Sequence, residues 1–209
     1  MRASGILWPI SSLPGKYGIG RFSKEAYRFV DFLKNAHQKY WQILPIGPTS
    51  YGDSPYQSFS SFAGNPYFIS LEELIEEGLL TEEECDKVDF GNRIDKVNYE
   101  KLYNGRFKLL KKAYKKSNIS EKEDFDKFKS ENCYWLNDYA MFMAIKDRFN
   151  GQSFDKWAED IKLRWEYSME YYQNELKAEI EFYKFIQYEF YRQWYTLTTY
   201  ANENGIKII

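Results

Sequence analysis

Two aromatic rings and a run of hydrogen-bonding side chains are compressed into one short stretch, Tyr51-Gly52-Asp53-Ser54-Pro55-Tyr56-Gln57. Sugars present flat C–H faces edged by hydroxyls, so a sugar site calls for aromatic platforms with Ser, Asp, Asn or Gln beside them. This stretch supplies both kinds of group, and Gly52 and Pro55 give it the turn chemistry of a loop. The plainer alternative is that Tyr51 and Tyr56 pin a long loop to the core while Asp53 closes an Asx turn. Other chemistries find less support. Gly15, Gly18 and Gly20 do not keep the G-x-G-x-x-G spacing, and Lys16 is followed by Tyr17 rather than Ser or Thr. They read as a tight loop, not a phosphate cradle. His37 stands alone, and Cys85 and Cys133 are the only two cysteines, so neither a zinc site nor a disulfide framework is indicated. Glu72, Glu73, Glu76, Glu77 and Glu82–Glu84 fall in first helical turns or on solvated helix faces, where carboxylates favour the helix dipole. None of them sits at a strand end, where the acid pair of a glycosidase would lie.

The composition narrows the partners. The 209 residues carry 29 Lys and Arg against 31 Asp and Glu, a net charge of -2, without the basic excess that nucleic acid or an anionic membrane requires. With 20% aromatic residues the chain has ample surface to bury, which argues against disorder. No apolar run approaches the ~18 residues needed to span a bilayer, and the start, MRASGILWPISSLPG, lacks the long apolar segment of a signal peptide. The expectation is a soluble, reduced, cytoplasmic protein.

The elements that must position the loop divide the chain into two textures. All six prolines lie in the first 66 residues, and residues 1–69 carry seven basic and three acidic side chains, leaving 22 and 28 beyond. Gly5-Ile6-Leu7-Trp8 and Tyr40-Trp41-Gln42-Ile43-Leu44 read as strands closed by prolines. Between them, Ser23 can cap a helix with apolar positions Ala26, Phe29, Val30 and Leu33. Strand, helix, strand is a βαβ unit with parallel strands. The loop 46–70 leaves the C-terminal end of the second strand, the edge where α/β folds place ligands. Loops beyond ~12–15 residues are usually functional. From Ser70 helix signals dominate: Ser70–Glu73, Thr81–Glu84 and Ser120–Glu123 each fit a capping box, with Gly78 and Gly151 as stops. The run Tyr167, Tyr171, Tyr172, Phe182, Tyr183, Phe185 has helical spacing and reads as packing. A long helix near 178–202 leads through Gly205 to a third strand, Ile206–Ile209. That half-formed edge suggests a piece of a longer protein.

Four blocks carry a family resemblance: SGILWPISSLPGKYGIG (4–20), YWQILPIGPTSYGDSPYQSFSSFAGNPYFISL (40–71), WLNDYAMFMAIKDRFNGQSFDKW (135–157), and YKFIQYEFYRQW (183–194) running on to GIKII. With them the chain resembles the amylomaltase (disproportionating enzyme) family of 4-α-glucanotransferases over essentially its whole length. Ser50 and Ser61 stand where that family more often has Gly and Ala. The resemblance implies an α/β fold, the N-terminal part of a (β/α)8 TIM barrel with a large helical insertion after the second strand. Residues 1–69 would hold the first two βα units, 70–177 the insertion, and 178–209 the return helix and the start of the third strand. It also implies transfer of α-1,4-glucan segments, with maltooligosaccharides as partners, without cofactor or structural calcium. Residue by residue, Tyr56 resembles the platform under the sugar at the cleavage point and Ser54 a nearby polar contact. Tyr51 resembles the tyrosine of a second glucan groove, and Asp53 has a loop-shaping place in the motif. The family's nucleophile and acid/base match no residue here and are expected beyond Ile209, so these 209 residues alone are expected to be inactive. A non-catalytic α-glucan-binding module is the alternative reading.

Overall fold

The computed structural model describes residues 2–49, 52–91, 93 and 95–209, and these form two compact units: residues 1–117 with 189–209, and residues 118–188. Residues 70–117 of the expected 70–177 segment thus cluster with the strands.

In the first unit the chain enters as β1 (Gly5–Leu7), passes through α1 (Lys24–Asn35) to β2 (Tyr40–Gln42), and returns at its end as β3 (Lys207–Ile208). The three strands are parallel and ordered β1-β2-β3, with Ile6 opposite Trp41 and Trp41 opposite Ile208. The strands are shorter than the apolar runs that encode them, but the pairing extends past their ends: Trp8 N donates to Gln42 O, and Ile43 N to Ile209 O, each at 2.9 Å. Strand alternation then sorts the faces. Ile6, Trp41 and Ile208 share the face nearer α1, whose Ala26, Val30 and Leu33 are buried, and Trp41 meets Phe29 edge-on at 5.0 Å. The indole of Trp41 donates to Trp8 O at 2.8 Å, tying the exit of β1 to the middle of β2. Leu7, Gln42, Lys207 and Ile209 lie exposed on the opposite face.

Three short or medium helices follow: α2 (Leu71–Glu76), α3 (Glu82–Asp86) and α4 (Tyr99–Lys116). Of the three expected capping boxes only Thr81 with Glu84 is complete. Ser70 accepts from Glu73 N, but its own N–H goes to Gln193 Oε1 at 2.6 Å, a stronger competitor than the Glu73 side chain. Ser120 caps nothing, because Asn118 in a left-handed conformation starts a 3-10 turn, Ile119–Glu121, that absorbs it; the next helix begins after Lys122. Ser23 precedes α1 as expected, yet its hydroxyl donates to Glu25 at 2.6 Å instead of capping. Gly78, Gly151 and Gly205 sit at helix ends with φ of 75, 76 and 75°, the left-handed geometry that a stop requires.

The second unit holds α5 (Glu123–Glu131), α6 (Cys133–Arg148), α7 (Glu159–Lys162), α8 (Glu166–Glu175) and the first turns of α9 (Lys177–Glu203). Phe125 and Trp157 are its buried centres; Phe125 meets Tyr188 edge-on at 5.6 Å, and Trp157 packs on Phe142 and Phe149. Phe182, Tyr183 and Phe185 are buried as the helical spacing predicts, but Tyr167 and Tyr171 are exposed. Both lie on α8, a short surface helix that buries only Ser168, so its rings have no core to face.

In the first unit the later turns of α9 bring Arg192 and Glu189 against the carboxylates at the end of α2. Arg192 pairs with Glu77 at 2.5 Å and with Glu189 at 2.7 Å, with Glu73 at 4.0 Å. Burial, with Glu77, Glu189 and Glu76 adding to it and Arg192 opposing it, raises Glu73 to about 7. A raised folded-state value means that the site's contribution to stability is complete below the ordinary glutamate range and lost as pH rises through 7. The Tm of the protein should therefore fall from about pH 5 to about pH 8 more steeply than that of Glu73→Gln, as read by scanning calorimetry. Parallel profiles would remove Glu73 as the cause.

Candidate functional site

The loop that leaves β2 is closed at its base by one backbone hydrogen bond, Asn65 N to Ile46 O at 2.8 Å. Asn65 then accepts from Tyr67 N at 3.0 Å, starting the buried 3-10 turn Pro66–Phe68. The rest of the loop is held by serine. Thr49 and Ser58 form an isolated antiparallel bridge, Ser58 Oγ donates to Ser60 O at 2.7 Å, and Ser60 Oγ accepts from Ala63 N at 3.0 Å. A loop built this way exposes its rings: Tyr56 is 72% exposed and Phe62 50%.

Helix α9 supplies the opposite wall. A Cβ on Gly64 would lie 2.1 Å from the Phe190 ring, so only glycine permits this approach. Tyr191 Oη donates to Phe62 O, fastening the loop to the helix. Between them opens a cleft of about 480 Å³, bordered by Tyr56, Ser58, Ser60, Ser61 and Phe62 on one side and Tyr191 and Trp194 on the other. Its volume falls in the range of ligand sites, and its mixture of rings and hydroxyls suits a polyhydroxylated ligand.

The sequence-predicted residues separate. Tyr56 borders this cleft. Ser54 stabilises the turn beneath it, accepting from Tyr56 N at 3.3 Å while its carbonyl accepts from Gln57 N. Asp53 faces away into a second, smaller pocket of about 30 Å³ with Ser11, Thr49, Asn65 and Tyr99. Its φ of 53° is left-handed, a conformation Asp tolerates, in keeping with a role in shaping the loop. Burial raises its carboxyl above the ordinary range, and after burial its charge is the next cause that raises the Tyr67 and Tyr99 hydroxyls. Tyr51 lies outside the described residues. His37 is an exposed left-handed residue at the end of α1. Among the described residues no group of three His, Cys, Asp or Glu could hold a metal ion. None of the helices built from them is long and apolar enough to cross a membrane.

The sequence puts Phe190 and Trp194 among the apolar or aromatic positions of the long helix near 178–202, and it gives Tyr191 no role. The signal was present: in Phe190-Tyr191-Arg192-Gln193-Trp194-Tyr195 the rings recur at three and four residues on two adjoining faces, more than one core-facing stripe can use.

The profile of the 4-alpha-glucanotransferase family matches residues 8–209. The chain belongs to that family. A 4-alpha-glucanotransferase of Clostridium butyricum is 53% identical over 200 residues, covering 96% of this chain and 41% of the relative. One of Thermus thermophilus is 42% identical over the whole chain and 41% of its own length. The solved structure of an amylomaltase from Streptococcus agalactiae in complex with acarbose superposes with a TM-score of 0.93 at 42% identity, covering 100% of this chain and 42% of that one. An amylomaltase from Corynebacterium glutamicum, 18% identical with a TM-score of 0.71, shares the fold. The chain thus spans about two-fifths of the length of these curated relatives.

The closure of the loop on α9 predicts a specific sensitivity. Gly64→Ala drives a methyl into the Phe190 ring and should cost about 1–3 kcal/mol, measured as a lower urea midpoint. An unchanged midpoint would show that the loop and helix are not in contact in solution.

Proposed function

We propose that the protein to which these residues belong is a 4-α-glucanotransferase of the amylomaltase type, acting on maltodextrins in the cytoplasm. It moves α-1,4-glucan segments to glucose or another glucan by retaining double displacement. One carboxylate attacks the anomeric carbon and another protonates the leaving oxygen. The glycosyl–enzyme intermediate is then taken by a glucan hydroxyl in place of water. Both carboxylates belong to sequence outside these 209 residues, which cover 41% of the length of the Clostridium butyricum relative. The three parallel strands in sequential order are the first three of a (β/α)8 barrel, and 70–177 is an insertion between the second and third. No cofactor takes part.

One observation carries the reading. Tyr56, within the residues matched by the family, is a largely exposed ring on the cleft that opens beyond the C-terminal end of β2. That is where a barrel enzyme binds substrate. Tyr56 is the platform on which a glucose unit stacks, Ser54 holds the turn that aims it and lies within reach as a polar contact, and Asp53 shapes the loop. Tyr51, outside the described residues, is assigned to glucan binding at a second place by the family resemblance alone. The acarbose complex of the Streptococcus agalactiae amylomaltase supports an oligosaccharide ligand.

The full-length protein incubated with maltotriose should release glucose and form longer maltooligosaccharides; hydrolysis alone, or no reaction, would overturn the assignment. Tyr56→Ala should lower kcat/KM about 5- to 30-fold, the equivalent of ~1–2 kcal/mol of lost stacking. An unchanged kcat/KM would remove Tyr56 from the site.

A further inference from the structure

The wall of the cleft contributed by α9 holds a donor that the fold leaves unused. Three other indoles of this chain are paired: Trp41 with Trp8 O at 2.8 Å, Trp135 with Asn132 Oδ1 at 3.0 Å and Trp157 with Gln152 O at 3.0 Å. Trp194 is half-buried, with its ring tilted against Phe22 at 5.4 Å, and borders the cleft. Among the described residues no acceptor pairs with its indole N–H. Trp194 Nε1 is not among the buried side-chain atoms left without a partner, so its N–H stays accessible, and a donor bordering a ligand cleft is free to pair with a ligand hydroxyl.

The wall is also rigid. Gln193 Oε1 accepts from Ser70 N at 2.6 Å, and the Arg192 guanidinium is held by Glu77 and Glu189, so the two residues before Trp194 are both anchored. The position of the indole is therefore set before any ligand arrives, which lowers the entropy cost of binding. Across the cleft, Tyr56 and Phe62 offer the apolar faces that a pyranose ring covers, while hydroxyl edges remain to be hydrogen-bonded.

We propose that Trp194 is a glucan-binding residue whose indole N–H donates to a hydroxyl of a glucose unit held in the cleft between α9 and the loop of Tyr56. This inference rests on the α-glucan reading of the cleft and adds to it a specific residue on a different element. Phe22 packing and the Gln193 and Arg192 anchors fix the ring, so Trp194→Phe keeps a flat apolar ring against Phe22 and removes the donor together with the five-membered ring that carries it.

The test is calorimetric titration of maltoheptaose into the full-length protein, its Trp194→Phe variant, and Trp165→Phe, an exposed tryptophan of the other unit. Trp194→Phe should raise Kd roughly 3- to 10-fold, the range of one lost hydrogen bond, and Trp165→Phe should leave it unchanged. A wild-type Kd in Trp194→Phe, or an equal rise in both variants, would overturn the inference while the glucan reading stands. Failure of the unmodified protein to bind maltoheptaose would overturn both.

Discussion

Loop and helix meet at the cleft because Gly64 has no side chain. The backbone there runs against the Phe190 ring at a distance that a single methyl would close, and the carbonyl two residues earlier accepts from Tyr191. Tyr191 reaches that carbonyl because α9 is itself fixed, by Gln193 on Ser70 and by Arg192 among Glu77 and Glu189. At the other end, Asn65 N on Ile46 O ties the loop to the exit of β2. A long loop that leaves residues 52–62 unburied is thereby restrained at its base and along its flank. Its entropy is reduced before a ligand is bound.

Beneath this lies an unusually charged interior. Arg21 is fully buried, donates to Glu72 through two nitrogens, and also to the carbonyls of Lys16 and Ile19. Burial opposes the charge on Glu72, but Arg21 and then Ser70 hold its carboxyl below the ordinary range. Arg106, also buried, donates to Ile69 O at 3.1 Å and Tyr17 O at 3.4 Å, leaving Nε without an acceptor. Burial, with Arg21 next, pushes it down to about 9. The two arginines tie the glycine loop 15–20 and the carbonyl of Ile69 to helices α2 and α4. Their weight lies in specifying this packing, since removing one partner of a buried pair costs far more than the pair adds.

Much of this was legible in the sequence, and what was not has physical causes. Prolines after short apolar runs marked the ends of β1 and β2, and Gly205 marked the end of α9 within a residue or two. The crowded loop announced itself through its Gly, Pro, Ser and aromatic content. Capping was less legible, because Ser23, Ser70 and Ser120 each met a competitor that local spacing cannot show: Glu25, Gln193 and the left-handed Asn118. The α9 wall stayed hidden for a related reason. Ring spacing tells which residues share a face, but the identity of the face opposite, loop or core, depends on a contact between residues more than a hundred positions apart, as from Phe62 to Tyr191. Likewise Arg21 and Glu72 look like two ordinary surface charges until the chain brings them together.

The account turns on where a glucan touches the protein, and hydrogen–deuterium exchange of the full-length protein with and without maltoheptaose reads that directly. Added sugar should slow amide exchange in two segments far apart in sequence, 54–65 and 189–195, while exchange across 118–175 stays as it was. Protection confined to other segments, with both of these exchanging at their original rates, would contradict the cleft as the place where sugar binds.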